Sequence, residues 1–341
     1  MPTISDVAKL AGVSVATVSR VINDHGNVLP ATEEAVRNAI AALHYSPNSM
    51  GRNLRQLKTN RILVLQPSIT NPFYSHVVRG IDAAAHQEGY HIMLSDTNSD
   101  PERERQYLSM LESHVADGAI LTTPCFEPEH YREFAKKHPI LFCTEDYDDS
   151  TISCVTIDNR QAGYDVANYL ISIGHRRIAF LGIYGNRLVV SQRLEGFRRA
   201  LNEAGIPFPR EYLLEGNAVN AELEWVEAEE VAQSVVALPK LPTAMFCTSD
   251  AIGVWAIKGL KKTGLRVPED ISVFTFDDID LAKQYDPTLT TVYFPKYEMG
   301  RKAVEVLLER IRNPACKARR VVLKHELRVR ESTRPLAGSM N

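Results

Sequence analysis

The chain has 341 residues, of which 44% are hydrophobic and 24% are charged, and its formal net charge is −3. This length predicts two or three domains, and this composition is typical of a globular protein without an overall basic charge. No apolar run reaches the roughly 18–20 residues of a membrane span, and the N-terminus lacks the basic and apolar regions of a secretory leader, so we expect a cytoplasmic protein without membrane contact.

Two short helical patterns flank Gly12 at the N-terminus. Apolar residues recur in them at three- and four-residue steps, which is one face of a helix: Ile4, Val7, Ala8 and Ala11, then Val18, Val21 and Ile22. Gly12 can adopt a positive φ and end the first helix, and Ser14 is a good N-cap for the second. The pattern is typical of a helix-turn-helix, whose second helix enters the major groove of DNA. The alternative is a small helical hairpin that packs on another element.

The second helix leaves five side chains outside its apolar face: Val15, Ala16, Thr17, Ser19 and Arg20. Arg20 can donate two hydrogen bonds to guanine O6 and N7. Val15 and Ala16 suit thymine methyl groups, and Thr17 and Ser19 can bond phosphates. Residues 1–60 carry a charge of +2 and the remainder −5. This basic excess is small, so DNA affinity should depend on dimer geometry as well as on charge.

A third helix is predicted from Pro30 to Leu43, because Pro suits the first helical position. Leu29 occupies its cap position, where a missing polar cap costs about 1 kcal/mol. Residues 45–48 end this helix. The segment that follows, up to about residue 58, could be a plain linker.

From Arg61 onward, apolar strands alternate with helical patterns. The predicted strands are 62–65, 90–94, 118–121, 140–142, 178–181, 212–214, 244–247 and 272–276. The predicted helices are 71–88, 100–114, 161–173, 191–204, 222–238 and 250–263. This alternation predicts parallel sheets with helices on both faces. Two series of similar length predict two lobes, with a ligand cleft beyond the carboxyl ends of the strands.

Two residues near these strand ends are candidates for ligand contact. Arg193 lies near a helix start, and Asp277 follows a strand. A guanidinium donates paired hydrogen bonds to neighbouring hydroxyls, and a carboxylate accepts hydrogen bonds from them. Alternatively, Asp277 or Asp278 could cap a helix.

The N-terminal motif resembles that of the LacI/GalR family of bacterial transcription regulators, on the residues Asp6–Ala8, Ala11–Ser14 and Ala16–Asn23. Further matches are Asn71–Phe73, Asp158-Asn159, Gly174–Ile178, Arg193–Phe197, Ser249-Asp250, Val267–Val273, Phe276–Asp278 and Leu289–Thr291. The resemblance implies that Val15, Ala16 and Arg20 read bases. It adds Thr3, Ser14 and Asn23 to the DNA-binding set.

The same resemblance makes residues 49–59 a hinge helix that enters the minor groove. It implies that Leu54 is an apolar wedge between base steps and that Arg52 and Arg55 contact DNA. Gly51 costs about 1 kcal/mol of helix propensity, which is consistent with a hinge that folds only on DNA. Residues 50–53 resemble the hinge of the family's CytR-type repressors of nucleoside operons.

For the whole chain, the resemblance implies an all-α helix-turn-helix headpiece (1–48), the hinge (49–59), and a two-lobed α/β core like the periplasmic binding proteins (60–341). In that core the first lobe would take 60–158 and 293–320, and the second 159–290 and 321–337. The implied effector contacts are Phe73, Thr144, Arg193, Ser249 and Asp277. Ala218 departs from the family where an aromatic ring is common, and Tyr74, Trp225 or Phe294 could replace that ring.

Five cysteines are scattered, and no Cys-x-x-Cys or His-x-x-x-His pair occurs, so we expect reduced thiols with no metal and no cofactor. Common catalytic motifs are also missing, which argues against an enzyme. We therefore predict a repressor that binds operator DNA as a homodimer and responds to a sugar or nucleoside. The alternatives are a solute-binding protein without DNA function and a corepressor-dependent regulator.

Overall fold

The computed structural model describes residues 2–22, 28–45, 58–147, 151–183, 188–216 and 221–336. The chain divides into a small unit, Met1–Lys58, and a large unit, Thr59–Asn341. Four residues assigned to DNA binding from the sequence lie outside the described residues: Asn23, Arg52, Leu54 and Arg55.

The small unit contains the predicted helix-turn-helix. Its helices are α1 (Ile4–Ala11), α2 (Val15–Ile22) and α3 (Pro30–Ala42). Gly12 has φ 66° and ends α1 in the left-handed conformation, as the sequence predicts. Leu29 makes no side-chain cap at the start of α3. The three helices share an apolar core, formed by Val7, Ala8, Val18, Val21, Val36 and Ala39.

The large unit alternates strands and helices. Its strands are β1 (Arg61–Gln66), β2 (His91–Asp96), β3 (Gly118–Leu121), β4 (Ile140–Cys143), β5 (Ser153–Ile157), β6 (Ile178–Ile183), β7 (Leu213–Gly216), β8 (Ala244–Cys247), β9 (Ser272–Phe276), β10 (Thr290–Tyr293), β11 (Arg320–Leu323) and β12 (Glu326–Arg328). Its α-helices are α4 (Pro72–Gln87), α5 (Pro101–Glu112), α6 (Pro128–Lys137), α7 (Asn159–Ser172), α8 (Leu188–Glu203), α9 (Ala221–Gln233), α10 (Asp250–Lys262), α11 (Asp280–Gln284) and α12 (Lys296–Arg312).

These strands form two six-stranded sheets, one in each lobe. The first has the order β11-β5-β4-β3-β1-β2, and the described pairs are parallel. The second has the order β12-β10-β9-β8-β6-β7, in which β12 pairs antiparallel with β10. The predicted two-lobed α/β core with two mainly parallel sheets is therefore confirmed.

The chain crosses between the lobes after β5, after β10 and after β11. The third crossover lies a few residues after the position near 320 that the resemblance implies. Strand β11 continues to Leu323 in the first lobe because Arg320–Leu323 pair in parallel with Cys154–Ile157 of β5. The crossover therefore lies at residues 324–325.

In the first lobe, α4 and α12 cross with their backbones in contact. A Cβ added at Gly80 would lie 2.0 Å from the carbonyl oxygen of Tyr297, and one added at Gly300 would lie 2.1 Å from that of Val77. Only glycine permits this approach at either position. The two helices are thereby held together as one body, and this body supplies one side of the cleft.

Four of the five thiols are buried, at Cys125, Cys143, Cys154 and Cys247, and none of the five is in a disulfide. Burial raises the pKa of Cys143 to about 12, which keeps this thiol protonated and unreactive. Within the described ranges, no helix combines the length and the apolar character that crossing a membrane requires.

Candidate functional site

A cavity lies between the two lobes, where strands of both sheets end. It is partly open, and its non-atom space together with the solvent at its mouth amounts to about 620 Å³. All five predicted effector contacts line it: Phe73, Thr144, Arg193, Ser249 and Asp277. The structure therefore brings Arg193 and Asp277, which the residues themselves suggested, together with Phe73, Thr144 and Ser249, which only the family resemblance suggested.

The first lobe supplies an aromatic wall. The ring centroid of Phe73 lies 5.0 Å from that of Tyr74 and 6.0 Å from that of Phe294. The Tyr74 hydroxyl lies 3.0 Å from the Thr123 hydroxyl. Among the described residues, Tyr74 and Phe294 line the cavity and Trp225 does not, so two of the three suggested replacement rings are in place.

Thr144 reaches the cavity through an unusual backbone conformation. Its φ is 90°, which costs a β-branched residue about 1–3 kcal/mol of strain. Its amide donates to the Val155 carbonyl (2.8 Å), and its hydroxyl donates to the Thr122 carbonyl (2.7 Å). These bonds hold the strained residue directly after β4, at the edge of the cleft.

Arg193 is 93% buried and already well positioned by protein groups. Its Nε donates to the Asn159 side-chain oxygen (3.0 Å), and one Nη donates to the Thr248 carbonyl (2.5 Å). The guanidinium carbon lies 3.5 Å from the centroid of the Phe276 ring. The sequence did not reveal these partners. Two guanidinium nitrogens of Arg193 that we expected to face a ligand therefore bind protein oxygens.

Asp277 and Asp278 follow β9 and have φ values of 110° and 49°. The Asp278 carboxylate accepts from Arg330 (2.5 Å), whereas Asp277 lines the cavity. Neither residue caps a helix, because α11 begins after Ile279. The alternative that one of them is a helix cap is therefore wrong.

Ser249 lines the cavity and also caps α10, since its hydroxyl accepts from the Ile252 amide (3.1 Å). Thr123, Glu145 and Thr248 are among the cavity residues that were not identified from the sequence. All three lie just past the ends of β3, β4 and β8. The general rule that ligands bind beyond the carboxyl ends of parallel strands would have found them.

In the small unit, the side chains of α2 that the sequence places outside the apolar face are accessible. Val15, Ala16 and Arg20 are exposed, and Thr17 and Ser19 are partly exposed. The Ser14 hydroxyl accepts from the Thr17 amide (3.1 Å) and so caps α2. Thr3 caps α1, because its hydroxyl accepts from the Asp6 amide (3.3 Å). The Thr3 amide and hydroxyl also donate to the Asp6 carboxylate (2.8 and 2.7 Å), and these two bonds lower the pKa of that carboxyl.

Comparison with known proteins assigns the chain to a family. Residues 3–48 match the family described as bacterial regulatory proteins, lacI family, and residues 167–333 match a periplasmic binding protein-like domain. The chain is 35% identical over 340 residues to the HTH-type transcriptional repressor PurR of Vibrio parahaemolyticus serotype O3:K6, an alignment that spans 98% of this chain and 100% of that protein. The protein belongs to the lacI family.

Solved structures of lacI-family regulators have the same fold. The lac repressor dimer bound to operator and the anti-inducer ONPF matches with a TM-score of 0.85 and 27% identity, over 98% of this chain and 99% of that one. The transcriptional regulator CelR in complex with cellobiose matches with a TM-score of 0.72 and 29% identity, over 97% and 100%. As a lacI-family member, the protein is a DNA-binding transcriptional regulator.

Proposed function

We propose that the protein is a repressor that binds a two-fold operator as a homodimer and releases it when a hydroxyl-rich effector, a sugar or nucleoside, enters the cavity. One observation carries the effector assignment. A single cavity combines a fixed guanidinium and a carboxylate from the second lobe with aromatic rings from the first. Aromatic faces stack on sugar or base rings, and the two charged groups hydrogen-bond hydroxyls.

The domain roles follow from this assignment. Residues 1–48 bind the major groove, with Val15, Ala16 and Arg20 reading base edges, and residues 49–59 form the hinge with Leu54 as the minor-groove wedge. Residues 60–341 bind the effector and form the dimer. The protein acts in the cytoplasm by binding rather than by catalysis, as its repressor relatives support.

Binding between the lobes supplies a mechanism for release. A ligand alters DNA affinity only by favouring one lobe arrangement over another. Phe73 and Thr144 belong to the first lobe, and Arg193 and Asp277 to the second, so a ligand that contacts all four holds the lobes in one arrangement. The first lobe follows the hinge directly in the chain. Lobe rotation therefore changes the spacing of the two hinges in a dimer, and induction is favoured over corepression.

A thermal-shift panel tests the effector class. Ribose, cellobiose, adenosine and cytidine are added separately to the full-length protein, and a bound ligand raises the melting temperature by mass action. We expect at least one compound to raise the melting temperature of the wild type. The same compound should not raise the melting temperature of Asp277→Asn. Stabilisation by none of them, or equal stabilisation of the variant, contradicts the assignment. Asp286→Asn, which changes another acidic residue of the second lobe, is the control.

Light scattering tests the assembly. A two-fold protein matches a two-fold operator, with one recognition helix per half-site, so a dimer is expected at micromolar concentration. Tetramers at that concentration would contradict the proposal.

A further inference from the structure

Lys296 is a buried cation whose role the proposed function does not assign. It is the first residue of α12 and is only 6% exposed. Its ammonium donates hydrogen bonds to the carbonyl oxygens of Asp277 and Asp278, the second at 3.3 Å. A lysine is seldom buried unless its charge is well partnered. Because the Lys296 ammonium bonds two adjacent backbone carbonyls, we expect the residue to have a specific structural role.

The two carbonyls belong to the loop that carries Asp277 into the cavity. Both residues of this loop have positive φ without being glycine, a conformation that persists only where neighbouring groups hold it. The Asp277 amide donates to the Val292 carbonyl (3.0 Å), and the Ile279 amide donates to the Asp250 carboxylate (2.8 Å). These partners hold the amides of the loop, and Lys296 holds its carbonyls.

Lys296 contacts this loop from the other lobe. Its helix, α12, begins directly after the crossover that follows β10 and crosses α4 at the glycine contacts of Gly80 and Gly300. The first turn of α4 carries Phe73 and Tyr74, which line the aromatic wall. The ammonium therefore connects the body that bears the wall to the loop that bears the carboxylate.

We propose that Lys296 is the positioning residue that sets the Asp277 carboxylate against the aromatic wall, by bonding the carbonyls of Asp277 and Asp278 across the lobe crossover. The ligand part of this inference rests on the proposed function, whereas the ordering of the loop does not. Without the ammonium, the loop leaves its left-handed conformation more often, and the carboxylate no longer has one fixed place relative to the rings.

Amide hydrogen exchange on the ligand-free, full-length protein tests the ordering. Lys296→Met keeps the apolar length of the side chain and removes the charge. We expect exchange at the Asp277 and Ile279 amides to become about tenfold faster or more, with the Ala119 amide of β3 unchanged, because local opening does not involve the first sheet. Lys302→Met, at an ion-paired surface position of α12, is the matched control and should leave all three amides unchanged.

Two results would overturn the proposal. Unchanged exchange at Asp277 and Ile279 in Lys296→Met means that the ammonium does not order the loop. If exchange at the Ala119 amide is accelerated as much as at Asp277 and Ile279, Lys296 contributes only to the stability of the whole fold. If Lys296→Met does not fold, Lys296→Gln, which removes the charge but keeps an NH₂ donor group, should show a smaller acceleration of exchange confined to the same two amides. Acceleration throughout the core would again contradict the proposal.

Ligand affinity gives the second readout. For a panel compound that stabilises the wild type, we expect Lys296→Met to weaken affinity about tenfold, since the carboxylate is no longer preorganised, and Lys302→Met to match the wild type. Normal affinity in Lys296→Met would contradict the positioning role. If no panel compound binds the wild type, the effector assignment fails, while the exchange experiment still decides the role of Lys296.

Discussion

The guanidinium of Arg193 lies face-on over the Phe276 ring, with its carbon 3.5 Å from the ring centroid. Because Asn159 and the Thr248 carbonyl hold the same group from two other directions, the charge is fixed before any ligand arrives. A preorganised group loses little conformational freedom on binding. Arg193 therefore has two roles, since it both supports the second lobe and faces the cavity.

Arg193→Met should abolish the effector response and also lower stability. The methionine can still cover the Phe276 ring, but the Asn159 oxygen and the Thr248 carbonyl lose a donor, which costs about 1–3 kcal/mol. Calorimetric titration and denaturant unfolding measure the two effects. Arg199→Met, on the exposed face of α8, is the control and should change neither. A normal effector affinity in Arg193→Met would place the ligand elsewhere.

Arg20→Ala should weaken specific DNA binding by about 1–3 kcal/mol and relax base preference at one position of each half-site. Binding is measured on an operator selected from random DNA and on unrelated DNA. Arg37→Ala removes the same charge from α3, where Arg37 pairs with Glu33 at 2.6 Å, and should leave the preference intact. If Arg20→Ala weakens binding equally on both DNAs, Arg20 contacts only phosphate.

Asp117 holds the start of the large unit. Its carboxylate accepts from the amide and hydroxyl of Thr59 (2.7 and 2.8 Å) and from the Asn60 amide (2.8 Å). Asp117→Ala frees these residues, and reordering them on DNA costs about 1–2 kcal/mol per residue. We expect weaker operator binding with unchanged effector affinity. Glu129→Ala on α6 is the control. Operator affinity equal to wild type in Asp117→Ala would show that this anchor is not needed.

Asp250 should give stability a characteristic pH dependence. Burial raises its pKa to about 6, although Thr275, Thr291 and the Ile279 amide donate to the carboxylate. The side chain of Asp in an unfolded chain has a pKa of about 3.9. Between about pH 4 and about pH 6 the folded state therefore holds a proton that the unfolded state has lost, so this group's contribution to stability falls as the pH rises.

Asp250→Asn removes this titration. The free energy of unfolding of the wild type, minus that of the variant, should fall as the pH rises from about 4 to about 6 and stay constant above about 7. Urea unfolding of both proteins at several pH values measures it. A difference that rises over this interval would mean that the hydrogen bonds outweigh burial and that the folded-state pKa is lowered.

The elements at the base of the cavity were predictable because their signals are local. The apolar runs of β8 and β9, followed by polar residues, place Ser249 and Asp277 just past strand ends without any knowledge of pairing, and the Asn71–Phe73 motif places Phe73 in the first turn of the helix after β1. The helix α12 was not predicted, although Met299, Ala303 and Leu307 repeat at the helical period and are buried.

Other features could not be derived from the sequence. Thr144 has a positive φ although β-branched residues rarely adopt one, and Asp277 has one although its residue type only tolerates it, so no local preference indicates either conformation. The contact of Lys296 with the Asp277 loop depends on where α12 begins after the crossover. The partners of Arg193 come from three separate elements. Each of these features results from tertiary packing, which overrides local propensity.

The most direct test measures operator affinity with and without effector in one titration. Full-length wild type and Arg193→Met are titrated onto the selected operator, alone and with the panel compound that stabilises the wild type. We expect the compound to weaken the wild-type complex at least about tenfold, an ordinary magnitude for coupling between sites, and to leave the Arg193→Met complex unchanged. Equal operator affinity of the wild type with and without the bound compound would contradict the account.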